Sequence, residues 1–298
     1  MRILKASHLG MCFGVRDALA LANEAAAEGA LTILGDLVHN ETVLADLRRR
    51  GVAIESRLAT VTTPTVMITA HGTSHRQRQS IQDRGHRVIE ATCPLVRFAH
   101  DQVLELARAG YHPVIIGQRD HVEVRGLTGD LEAHDVVLME SEIDGLESRP
   151  RFGVASQTTQ PIERVRALVD RLRMRFPESE VRFVDTVCQP TKQRQQAAER
   201  LAEVCDVVVV VGGVHSNNTR QLAKTCARHG GRVYQVQSAE ELQVEWFDEA
   251  STVGLTAGTS TPDGVIDGVD RWLRALAAGR KSEPDGYPSG PLHPEAVL

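Results

Sequence analysis

Three cysteines, Cys12, Cys93 and Cys188, each open one copy of a threefold repeat, so one site can collect a thiolate from each copy. Ruling the chain from them exposes the repeat. Gly117 and His121 stand 24 and 28 residues after Cys93, and Gly212 and Ser216 stand 24 and 28 after Cys188. Gly35 and His39 stand 23 and 27 after Cys12, one residue short. Each copy closes on an apolar run ending in small polar residues: VMITAHGTSH, FGVASQTTQP and VGLTAGTSTP. A lone cysteine is most often a packing residue, but threefold placement favours ligation. Cys205 and Cys226 have no counterparts in the other copies and are assigned to packing. Three thiolates suit either zinc with a fourth ligand or a cubane cluster with one open iron. Structural zinc sites generally use close pairs such as CxxC, which this chain lacks. Ligands so far apart in sequence imply a centre buried between domains, where an open iron would act as a Lewis acid while the cluster supplies electrons.

The polar residues at matching offsets form a second constellation. His39, His71 and His121 come from two copies, and Ser216, Asn217, Asn218 and Ser260 come from the third. Imidazoles, hydroxyls, amides and helix-start N–H groups make a cradle for a phosphate or diphosphate, without the dense Lys/Arg of a polyanion site. Singly, each histidine reads as a surface or core residue; as a set they predict an anion site. Glu123, two residues after His121 in what reads as the same loop, is the candidate proton donor. Desolvation and like-charge repulsion should raise its pKa; otherwise it is a solvated loop carboxylate. Thr158 and Thr159 either relay that proton or cap a helix starting near Pro161. No GxGxxG or GxxxxGK[ST] is present, so a bound nicotinamide or nucleotide is not supported and electrons must come from another protein.

These residues need elements to carry them. β-branched runs such as Val207 to Val211 alternate with amphipathic stretches, which predicts βα units with mostly parallel strands and polar loops converging at the strands' carboxyl ends. Each cysteine lies between a strand-like segment and a helix, where N-terminal amides are expected to stabilise thiolates. Gly29, Gly51, Gly110 and Gly230 are expected to end helices in the left-handed conformation. Domains are expected at 1–93 (Cys12, His39, His71), 94–186 (His121, Glu123, Thr158; Cys93 at the boundary) and 187–279 (Cys188, Ser216, Asn218, Ser260). The first strand could dock on the third domain. A Pro-, Gly- and charge-rich tail at 280–298 is expected to be disordered.

Composition sets bounds. Hydrophobic residues are 42% and aromatics only 4%, so the cores must be aliphatic. A net charge of −5 gives no general pull toward nucleic acid or an anionic membrane. Nothing resembles a signal peptide or a membrane span, and a cytoplasmic protein is expected. Five cysteines without close pairs argue against a disulfide framework.

The segments MCFGV, LVHN, TAHG, ATCPLV, HxEVxG, SQTT, the stretch from Cys188 to Gln195, SNNT and TAGTSTP occur in this order. In this series the chain resembles the 4-hydroxy-3-methylbut-2-enyl diphosphate reductase family over nearly its whole length before the tail. The resemblance implies an α/β fold: a pseudo-threefold trefoil of three small domains around a [4Fe-4S] cluster held by Cys12, Cys93 and Cys188, with one open iron that binds the substrate's allylic hydroxyl. It implies that His39, His71, His121, Ser216, Asn218 and Ser260 bind the diphosphate, with Asn217 beside them. It makes Glu123 the proton donor and Thr158 a contact to the hydroxyl, and it names reduced ferredoxin or flavodoxin as electron donor. Val122 stands where many members have Pro, Gln189-Pro190 where Tyr-Ala or Asp-Ala is commoner, and Asn217 where Ser is frequent. Two other readings share the pattern: another three-cysteine cluster enzyme such as quinolinate synthase, and a non-enzymatic cluster-bearing sensor of a diphosphate metabolite. The His-rich cradle fits a diphosphate reductase better than the first, and binding alone, as in the second, needs no proton donor.

Overall fold

The protein is described from a computed structural model covering residues 1–279, and the 280–298 tail expected to be disordered lies outside them. The chain begins with strand β1 (Arg2–Lys5). A first unit follows: α1 (Phe13–Glu28), β2 (Leu31–Leu34), α2 (Glu41–Arg49), β3 (Ala53–Glu55), β4 (Thr65–Ile68), α3 (His75–Asp83) and β5 (Arg87–Glu90). The second comprises α4 (Pro94–Arg108), β6 (His112–Ile116), α5 (Val122–Thr128), β7 (Asp135–Val137), α6 (Glu140–Asp144), β8 (Arg151–Ser156), α7 (Ile162–Arg175) and β9 (Glu180–Phe183). The third comprises α8 (Gln189–Ala202), β10 (Val207–Val211), α9 (Asn217–Arg228), β11 (Arg232–Val236), β12 (Thr252–Ala257) and α10 (Asp263–Ala277).

The three sheets run β3-β2-β4-β5, β7-β6-β8-β9 and β11-β10-β12-β1, all parallel. The strand orders correspond one to one, with β1 filling the edge of the third sheet that β5 and β9 fill in the others. Helices cover the sheets, so central strands lose the alternation of half-exposed ones. Val207 through Val211 are all fully buried. Helix α10 shows the complementary pattern, burying Val265, Ile266, Val269 and Leu273 along one stripe. Each such side chain contributes about 1.5–3 kcal/mol.

Of the four glycines expected to end helices, Gly51, Gly110 and Gly230 have left-handed backbone, with φ of 84°, 80° and 99°. Gly29 differs: with φ 164° and ψ −168° it is extended, because β2 starts only two residues later and the chain must straighten at once. Among the described residues no helix is long and apolar enough to cross a membrane.

Candidate active site

Each cysteine is the N-cap of the first helix of its unit: Cys12 of α1, Cys93 of α4 and Cys188 of α8. Their backbone N–H groups repeat one hydrogen bond three times. Cys93 donates to Ala70 after β4, Cys188 to Thr158 after β8, and Cys12 to Thr259 after β12. Every cysteine is thereby pinned to the loop that closes the preceding sheet. An ideal Cβ on Gly14, two residues after Cys12, would lie 2.5 Å from Cys93 Sγ, which places the first turns of α1 and α4 in contact.

Burial pushes the Cys93 thiol up and lifts Cys188 to about 11; helix-start hydrogen bonds and, for Cys188, the Thr191 hydroxyl act in the opposite direction. The expected stabilisation of thiolates by helix amides is therefore outweighed by desolvation in the metal-free protein, and ligation must displace a held proton. Cys12 and Glu123 act electrostatically on both thiols, so all four groups share one region. Among the described residues the one set of three His, Cys, Asp or Glu ligand atoms mutually within 4.8 Å is His39, His71 and His121. The cysteines are thus spread wider than a single zinc ion allows, since its sulfurs sit roughly 3.8 Å apart. Three thiols at helix N-caps facing one region are the donor set that a multi-iron cluster takes. Cys205 and Cys226 are buried away from this region, and Cys226 Sγ contacts the Ala198 carbonyl at 3.7 Å, as packing residues should.

The three histidines sit on loops after β2, β4 and β6, with ring centroids 4.7, 5.2 and 5.5 Å apart. His121 Nδ1 accepts the backbone N–H of Glu123 at 3.2 Å, and burial with neighbouring cationic groups pushes its pKa down to about 3. The neutral ring therefore carries its proton on Nε2, which donates and cannot ligate a metal. That favours an anion over a cation at the triad. His71 is held well below the usual range, first by burial and then by His39 and His121. Asp36 lies 3.7 Å from His39 Nδ1, leaving Nε2 buried without a partner. Asn218 repeats that logic: its Oδ1 accepts from Thr259 N at 2.9 Å while its Nδ2 is buried and unpartnered. Orphaned buried donors are costly unless a ligand meets them.

Those residues line one small cavity with Ser216, Ser260, Asn217 and Thr159. Ser216 caps α9, and Ser260 Oγ reaches the His39 carbonyl at 3.5 Å. Asn217 belongs to the wall more than to the donor set, because its amide is committed to Thr159 Oγ1 at 3.0 Å and to Gln221 at 3.3 Å. The sequence reading missed the outer mouth. A cleft of about 720 Å³ adjoins the cradle through His39 and His121 and carries Arg119, Arg125, Arg220 and His215. Scattered singly through the chain, these cations form no run. A separate groove of about 870 Å³ beside Tyr111 and Arg151 contains none of the site residues.

Glu123 is not in a loop but in the first turn of α5, and it is only 1% exposed, so it is no solvated carboxylate. Its Oε1 accepts the Thr158 N–H at 2.6 Å. Burial raises its pKa from 4.5 to about 7 while hydrogen bonds from the Thr158 backbone and side chain lower it. Desolvation supplies that rise before any anion or cluster is bound. Thr158 and Thr159 do not cap α7, whose N-cap is Pro161. Thr158 instead joins Glu123 to Cys188, donating its N–H to the first and accepting from the N–H of the second.

The raised pKa has a thermodynamic sign. The folded protein retains a proton that the unfolded chain releases above about pH 4.5, so this group lowers stability progressively from there to about pH 7 and by a constant amount beyond. The cost is on the order of 3 kcal/mol. Apoprotein with Glu123→Gln, which keeps the Thr158 bond, should be more stable than the parent at pH 8 and not at pH 4.5. Urea unfolding at both values checks this; a difference independent of pH would contradict it. The buried histidines act on both proteins alike.

The model of the LytB protein family matches residues 3–274. A protein of Geobacter metallireducens named 4-hydroxy-3-methylbut-2-enyl diphosphate reductase is 34% identical over 95% of this chain and 100% of its own length. One of that name from Aquifex aeolicus is 34% identical over 93% and 98%. A solved structure of (E)-4-hydroxy-3-methyl-but-2-enyl diphosphate reductase, the terminal enzyme of the non-mevalonate pathway, superposes with a TM-score of 0.67 at 34% identity, covering 92% of this chain and 99% of that one. The Plasmodium falciparum reductase structure superposes with a TM-score of 0.86 at 24% identity, covering 93% and 88%, and shows the shared fold.

Proposed function

Since the chain belongs to the LytB protein family, we propose that it reduces 4-hydroxy-3-methylbut-2-enyl diphosphate to isopentenyl and dimethylallyl diphosphates, the last step of the non-mevalonate route. Two electrons and two protons enter, the allylic C–O bond breaks, and water leaves. Cys12, Cys93 and Cys188 would hold a [4Fe-4S] cluster with one open iron. When bound, that cluster supplies the electrons singly and a Lewis acid for the hydroxyl. Reduced ferredoxin or flavodoxin would be the donor, in the cytoplasm.

The residues of this chain do the rest. His39 and the neutral His71 and His121 meet the diphosphate with ring N–H groups, and Ser216, Asn218 and Ser260 add hydroxyl and amide donors. Burial of these donors in a preformed cavity spares the reaction their reorganisation. Glu123, with its pKa near 7, is protonated in about half the molecules at neutral pH and delivers a proton to the departing hydroxyl, which the Thr158 hydroxyl orients. The observation that carries this reading is the Thr158 junction, which sets acid and thiol ligand from one residue. Protein purified without oxygen should bind iron and sulfide and turn over that diphosphate with an artificial one-electron donor. An intact cluster that binds the diphosphate without turnover would replace the reductase by the sensor.

A further inference from the structure

We propose that Arg194 is the buried counter-cation of the cluster and sets its reduction potential, an inference that rests on the cluster reading above. Arg194 lies in α8 and is 7% exposed. Its Nε and Nη2 donate to the Gly10 carbonyl at 3.1 and 2.8 Å, and its Nη1 donates to the Pro190 carbonyl at 3.0 Å. Gly10 is two residues before Cys12 and Pro190 two after Cys188, so the guanidinium bridges two cysteine-bearing segments.

All three bonds end on neutral carbonyls. The nearby cations Arg16 and Lys192 are paired with Asp263 and Asp185, whereas Arg194 has no carboxylate partner among the described residues. A guanidinium does not shed its charge, and a buried charge without a partner is strongly unfavourable. Burial disfavours the charged form here, and the negative groups that favour it are Cys12 and Cys188. The countercharge is therefore the thiolate-held centre itself. Three of the five N–H donors are used by carbonyls, which leaves two for sulfur. Each electron added to the centre increases negative charge beside a fixed cation in low-dielectric surroundings, so Arg194 favours the reduced form. Exposed Arg16 and half-buried Lys192, each already neutralised by its own carboxylate, contribute little by comparison.

The test is a redox titration of the substrate-free holoprotein, followed by the cluster's electron paramagnetic resonance signal. Arg194→Gln should lower the reduced-to-oxidised ratio at a fixed potential by about tenfold, a shift near 59 mV for one electron. Arg194→Lys, which keeps the charge, should stay close to the parent. A ratio unchanged in Arg194→Gln, with only apoprotein thermal stability reduced, would make the residue a strut between Gly10 and Pro190 and overturn the proposal. Equal shifts in both variants, or loss of the cluster from both while their apoproteins remain folded, would also overturn it. Loss from Arg194→Gln alone would support the need for the charge. A parent that binds no iron would instead refute the cluster reading beneath it.

Discussion

Glu123→Gln should lower turnover by on the order of 10²- to 10⁴-fold while leaving cluster content and diphosphate affinity unchanged. The substitution preserves shape, and the amide oxygen can still accept the Thr158 N–H that Oε1 accepts at 2.6 Å. Thr158 therefore keeps its carbonyl on Cys188 N–H, and Cys188 is not displaced. What disappears is the transferable proton. The parent's rate should fall as pH rises through about 7, because burial holds the Glu123 pKa there and the deprotonated form cannot donate. The variant's residual rate should lack that limb. Single-turnover kinetics with pre-reduced enzyme across pH 5.5–8.5 would measure both effects. Turnover within a few-fold of the parent, or the same limb in the variant, would remove Glu123 as the donor.

The threefold plan was readable because each unit repeats a βα element of fixed length. A cysteine at a helix N-cap, a glycine following the next strand and a polar residue just before the following helix recur at offsets that agree to within one residue. Gly35, Gly117 and Gly212 directly follow β2, β6 and β10, and each donates its N–H to the carbonyl of the last residue of the neighbouring strand: Glu55, Val137 and Val236. The histidines were recoverable for the same reason: His39 and His121 follow the equivalent strands β2 and β6, and His71 follows β4, the counterpart of β8 and β12.

What was not readable depends on tertiary contacts between segments distant in sequence, or on elements too short to show a period. Nothing in SQTT says that the Thr158 N–H meets a carboxylate 35 positions earlier. Nothing in HVEV says that Glu123 starts a helix, because α5 is seven residues long and contains Gly126, too short for a 3.6-residue period to show. The balance between helix-end amides and burial at the thiols is likewise a tertiary quantity: one contribution is local and legible, while the larger depends on what packs above the sulfur. Arg194 stood within a recognisable stretch, but its meaning came only from the carbonyls that surround it.

Gly14→Ala should abolish cluster assembly while leaving the apoprotein folded. Gly14 occupies the first turn of α1, where Ala is the better helix former by up to about 1 kcal/mol. On local grounds the change is favourable. The added methyl, however, would stand 2.5 Å from Cys93 Sγ and 3.1 Å from its Cβ. In the apoprotein the thiol is the free end of a short side chain and can turn to another staggered position. Iron removes that freedom, because a ligating sulfur is fixed by the other two cysteines through the cluster. Relief would then require α1 to move away from α4, and Cys12, as the cap of α1, would move with it. Two of three ligands are thus displaced by one methyl group. Thermal unfolding of the apoprotein and iron and sulfide content after anaerobic reconstitution separate the two effects. Full iron content in Gly14→Ala would show that the Cys93 sulfur points elsewhere when it binds, and would refute the packing of α1 against α4 as the element that sets ligand spacing.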